Sequence, residues 1–84
     1  MTTQTFVHAI PLWLLREYLE ELGGTAESET VVAGEGWRAE LTKLPDHEIG
    51  SLRIGRVELR LEGTAAAVER LRPGLDRKTM RAGA

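Results

Sequence analysis

The chain has 84 residues, a net charge of −2 and no cysteine, with 42% apolar and 29% charged residues. Those figures fit one small domain of ordinary globular composition with a thin core. They exclude disulfides and thiolate metal sites, and no apolar run approaches the roughly 20 residues of a membrane span.

Other features of composition carry weaker signals. Met1-Thr-Thr-Gln-Thr5 has no basic region ahead of an apolar one, so no secretion signal is expected and a cytoplasmic location is the default. Asn is absent, Gln4 is the lone Gln, and Lys43 and Lys78 are the lone lysines among many arginines. That is a thermophile-like composition, and GC-rich codon usage gives the same bias. Charge is unevenly spread. Residues 1–50 hold three basic and nine acidic side chains, and residues 51–84 hold eight and four. The halves are expected to neutralise each other within the fold, with complementarity between subunits as the alternative.

In chain order, Thr3 to Ile10 reads as a strand with apolar residues on both faces (Phe6, Val7, Ala9, Ile10), as in a central or interface strand. Pro11 opens a helix, and Leu12, Leu15, Leu19 and Leu22 give it one apolar stripe. Gly23-Gly24 ends it. Thr30-Val31-Val32 marks a short strand from Glu29 to Ala33. After a Gly34-Glu35-Gly36 turn, Trp37 to Thr42 alternates as a half-buried strand, hairpinned to the previous one. Pro45-Asp-His-Glu48 reads as a loop.

The strongest strand signal runs from Ile49 to Glu62, and its apolar residues fall in two phases. Leu52 and Ile54 are even-numbered, while Val57, Leu59 and Leu61 are odd-numbered. One regular strand would send the two groups to opposite faces. A two-residue turn at Gly55-Arg56 removes that conflict and sets Arg53 opposite Glu58. A long strand with a bulge at Gly55 is the rival. Thr64 then caps a helix over 65–72. Pro73-Gly74 should end it, although Val68, Leu71, Leu75 and Thr79 keep a helical spacing past the proline. Residues 73–84 are otherwise expected to form a partly flexible basic tail.

The expected architecture is a single α+β domain over 1–84. It has an antiparallel-rich sheet of four to five strands and two helices on one face, in the ferredoxin-like neighbourhood of two-layer sandwiches. The other sheet face must then be polar, bind something or pair with another copy. At Ile54-Gly-Arg-Val-Glu-Leu-Arg-Leu-Glu-Gly63 and Ala65-Ala-Ala-Val-Glu-Arg-Leu71, the chain resembles half of the small NIL and ACT regulatory modules. That resemblance implies a ferredoxin-like fold, ligand binding and dimers. The same stretch looks like part of an acylphosphatase. That family's Arg on a glycine-rich loop after the first strand, and its Asn, have no counterpart here, so the activity is not carried over.

Candidate site residues are His8, Trp37, Asp46, His47 and Arg53. His8 shares a strand face with Phe6 and Ile10 and suits a hydrogen-bonded core or interface role. Trp37 beside a glycine turn suits a ligand or partner anchor, or the core periphery. Asp46-His47-Glu48 lacks the converging ligands that a metal needs. It would work as an acid–base group with Arg53 only inside a pocket. No nucleophile elbow, phosphate loop or dinucleotide fingerprint occurs. No catalytic residue, metal or cofactor is assigned. The leading expectation is a non-enzymatic interaction module that forms homo-oligomers through its open sheet face and takes a small ligand there. The alternatives are a small enzyme or accessory subunit with a site near His47, and an adaptor for anionic partners or nucleic acid through its basic C-terminal tail.

Overall fold

The computed structural model describes residues 1–81. In chain order it runs β1 (Thr2–His8), α1 (Leu12–Glu21), β2 (Thr25–Ala26), β3 (Val31–Gly34), β4 (Trp37–Ile49), β5 (Leu52–Gly63) and α2 (Ala65–Arg81). The five strands form one sheet in the order β1-β5-β4-β3-β2, and every neighbouring pair is antiparallel.

α1 forms where the sequence places it. Pro11 stands at the N-cap, and its carbonyl accepts from the Leu14 and Leu15 amides. Gly23, at φ +104°, ends the helix in a conformation that glycine adopts without strain. Leu15 and Leu19 are fully buried. α1 leaves β1 at one edge of the sheet and delivers the chain to β2 at the other. From there β2 to β5 meander back until β5 meets β1. The expected α+β class, with an antiparallel-rich sheet of four to five strands and two helices, is present, and the strands number five. The ferredoxin-like layout is not present, because that layout repeats a strand-helix-strand unit twice, whereas here four strands run consecutively after α1, β1 and β2 lie at opposite edges of the sheet, and α2 is the last element of the described residues. β1 is an edge strand, not a central one.

The core lies between the inner sheet face and both helices. Val32, Ala39, Leu41, Val57, Leu59 and Leu61 meet Leu15 and Leu19 from α1 and Val68, Leu71 and Leu75 from α2. Apart from Val7, which is 55% exposed, the opposite face is polar over the body of the molecule. Its register sets Arg38 beside Glu62 and Glu40 beside Arg60, with Thr3 and Thr5 completing the rows from β1. Opposite charges across antiparallel neighbours support each other. Of the three options left open for this face, its part over the body of the molecule is the polar one.

α2 is one helix of 17 residues with Pro73 inside it. Pro73 is exposed, so the Glu69 carbonyl that loses its partner faces water. Packing outweighs the proline. Leu71, Leu75 and Thr79 are buried on either side of it, and a Cβ at Gly74 would come within 2.6 Å of Leu22 Cδ2. Residues 73–81 are thus helix in place of the expected tail, and the rest of that expectation (82–84) lies outside the described residues. The Thr64 hydroxyl caps α2, accepting from the Ala67 amide at 3.1 Å.

Candidate functional site

The turn in the long hairpin is at Gly50-Ser51, not Gly55-Arg56. Ile49 pairs with Leu52 across it, and Gly50 has φ +62° while, among the described residues, no other residue type has a positive φ. That is the type II′ pattern, glycine first. β5 is one continuous strand, as the rival reading had it. The irregularity sits in β4, where Leu44 faces Arg56 and His47 faces Ile54, so that Pro45 and Asp46 together oppose Gly55. Pro45 to Glu48 is bulged strand and not a free loop. Arg53 stands opposite Glu48 and pairs with it at 3.3 Å, in place of Glu58.

Because β5 keeps its phase, its two apolar groups do point to opposite faces. Val57, Leu59 and Leu61 are fully buried under the helices. Leu52 and Ile54 share the outer face with Ile49, and these three are 65%, 37% and 56% exposed. Beyond Leu41 and Val57, among the described residues, no helix covers the ribbon and no strand flanks it. Residues 43–56 therefore extend from the body as a two-stranded arm, which makes the molecule 42 Å long and 21–23 Å across. Isolated hairpins are marginal in water. The arm is held by its ladder, by Lys43 to Asp46 at 2.8 Å and by the Arg56 guanidinium donating to the Pro45 carbonyl.

The five sequence candidates fall in three places. Asp46, His47 and Arg53 are together on the arm and exposed. Lys43, hydrogen-bonded to Asp46, holds its carboxyl below the usual carboxylate range, with Arg53 adding a little. His47 lines neither of the two described clefts, so the pocket that acid–base chemistry needs is not around it. His8 is at the far end of β1, half-buried, 6.2 Å from the Phe6 ring. Burial pushes its pKa down and the Asp76 charge opposes that weakly. The Arg72 guanidinium completes this edge, 4.7 Å over Phe6 and bonded to Gln4 at 3.1 Å. Trp37 lies at the other end of the sheet and is almost fully buried. It forms the floor of an open cleft of about 290 Å³ between α1 and α2, with Leu22, Glu35 and Arg70 around it.

Among the described residues, no three His, Cys, Asp or Glu side chains converge as metal ligands. No helix is long and apolar enough to cross a membrane. Sequence reasoning passed over Ile49, Leu52 and Ile54 as contact residues. Their signal was the phase change in the apolar pattern, which marks where β5 leaves the core.

Fold and surface define a small α+β protein with a closed core, a charged sheet face and a projecting apolar arm. Residues 3–84 match the family model described as archaeal MoaD-like protein, and the chain belongs to that family. The resemblance to NIL and ACT modules is corrected by this match and by the absence of their ferredoxin-like layout. No curated protein matches the chain.

Proposed function

We propose that this MoaD-like chain is a non-enzymatic interaction module and that the β4–β5 arm is its contact element. The observation that carries the proposal is the exposure of Ile49, Leu52 and Ile54 on one face of an arm that takes no part in the core. Apolar groups gathered on a projecting element of a small protein mark an interaction site, whereas scattered ones need no explanation. Self-association, if it occurs, uses this arm and not the charged sheet face. A photocrosslinking residue at Ser51 tests the reading in the native host, with Glu69 on the exposed side of α2 as control. Crosslinks to one discrete species from Ser51 alone are expected. Equal capture from both positions, or none from Ser51, overturns the arm's role. Sedimentation of the purified chain at tens of micromolar then tells a second copy from a different protein.

Family membership favours a second reading, a small sulfur-carrier-like protein. The chain has no cysteine, so sulfur cannot ride on it as a persulfide and would have to be held on a carboxylate converted to a thiocarboxylate. Intact-mass measurement of the protein from its host tests this. A species heavier by exchange of oxygen for sulfur supports it, and an unmodified mass under sulfur-replete growth counts against it. The two readings are compatible, since a carrier also needs a docking surface.

A further inference from the structure

We infer that the open edge of β5, from Leu52 to Arg56, accepts an extended segment of another polypeptide as an added strand, and that this segment alternates apolar and acidic residues. The inference rests on the arm being the contact element and adds which edge is used and what chemistry it takes.

The arm has two open edges, and they differ. Along β4 the edge is interrupted by Pro45, which has no N–H, by the bulge, and by the charged pair Lys43 and Asp46. Proline, bulges and charges are the devices that keep strand edges from pairing. The β5 edge has neither proline nor bulge. β1 ends at His8, opposite Val57, and no backbone bond reaches Gly55 from the residues that follow.

The parity of the ladder shows which groups are free. The Leu41 amide donates to the Thr30 carbonyl, so odd-numbered residues of β4 aim away from β5. Even-numbered residues of β5 therefore bond β4, as the Thr64 amide does to the Gly36 carbonyl just past the strand. Odd-numbered residues aim at β1 and, beyond His8, at solvent. Arg53 and Gly55 thus present their N–H and C=O groups on an unpaired edge.

Gly55 adds a second observation. Its backbone needs no glycine, because its φ is not positive, and a Cβ there would meet only Lys43 Nζ at 3.6 Å and Asp46 Oδ1 at 3.9 Å. Glycine inside a strand destabilises it and often marks close approach by another backbone. Among the described residues no backbone makes that approach.

The partner's chemistry follows from the flanking side chains. Leu52 and Ile54 offer an apolar row on one face. Arg53 stands on the other face, its side chain 73% exposed beside Glu48, whereas Arg56 shares the face of Leu52 and Ile54. An added strand with apolar residues beside Leu52 and Ile54 and acidic ones beside Arg53 complements both faces. A second copy joined by the same edge would instead bring two Arg53 guanidinium groups onto one face of a short ladder, which opposes self-pairing there.

The test uses the whole chain and two synthetic peptides, one alternating Glu and Val, the other Lys and Val. Backbone amide NMR and hydrogen exchange are read at Arg53 and Gly55. The Glu peptide is expected to protect both amides and the Lys peptide neither. Arg53→Glu should reverse that preference. Gly55→Pro, which removes one outward donor and leaves the ladder to β4, should weaken binding about tenfold. Equal binding of both peptides, or protection elsewhere with Arg53 and Gly55 unchanged, overturns the inference. Protection that appears without peptide and grows with protein concentration makes a second copy the occupant and also overturns it. If Ser51 crosslinks a partner while the edge amides stay open to every peptide, the edge is wrong and the arm stands. If Ser51 captures nothing, both fall.

Discussion

The two halves of β5 show how one strand can serve two purposes. From Val57 to Gly63 it is the second strand of a covered sheet, with β1 and β4 on its sides and α2 above it. From Leu52 to Arg56 it has one neighbour and no cover. Leu59 and Leu52 are the same residue type on the same strand, yet the first is fully buried and the second 65% exposed. Apolar character therefore serves stability in one half and is left over for contact in the other.

Leucine truncation should separate the halves most sharply. Leu59→Ala removes a fully buried side chain at the centre of the sheet and should cost about 3 kcal/mol. Leu52→Ala should change stability by less than about 0.5 kcal/mol and should reduce crosslinking from Ser51. Urea denaturation of both variants checks this, and comparable losses would mean that the arm is part of the core.

A second contrast uses one substitution at two glycines of β5. A Cβ at Gly63 would collide with the Gly36 carbonyl oxygen and the Trp37 Cα, both backbone atoms that cannot swing aside. Gly63→Ala should destabilise by roughly 2–3 kcal/mol. Gly55→Ala meets only side-chain tips and should stabilise by about 0.5 kcal/mol. Opposite signs in thermal unfolding would sharpen the division between body and arm. A loss at Gly55 would blunt it.

The smallest effect concerns His8, on the body of the molecule. Desolvation lowers the pKa of His8 in the fold below its ordinary 6.5, so the unfolded chain binds the proton more readily. His8 therefore destabilises the fold progressively as pH drops from above 6.5 to its folded pKa. Below both values the effect is constant. Urea midpoints on either side of that window should fall further on acidification in the wild type than in His8→Gln. An equal fall in both would remove His8 as the cause.

Local signals fixed much of the body before any packing was considered. Pro11, the leucine stripe and Gly23 set α1, the alternation from Trp37 to Thr42 set the base of β4, and Thr64 set the start of α2, because each depends on neighbours in sequence. Two choices lay beyond local reasoning. Gly50-Ser51 and Gly55-Arg56 are both acceptable glycine-first turns. Pairing thirteen residues of β4 against twelve of β5 selects the former, and that ladder is seen only when both strands are placed together. Pro73 would break an exposed helix, yet burial of Leu71, Leu75 and Thr79 against α1 and the sheet carries α2 through it. The sequence by itself determined the elements, the apolar stripes and the absence of cysteine chemistry. Tertiary structure decided that β1 lies at an edge beside β5, that the outer sheet face is charged, and that Ile49, Leu52 and Ile54 stand clear of the core. The reason is that strand order and cover come from contacts between residues distant in sequence, whereas periodicity reports only which side of its own element a residue occupies.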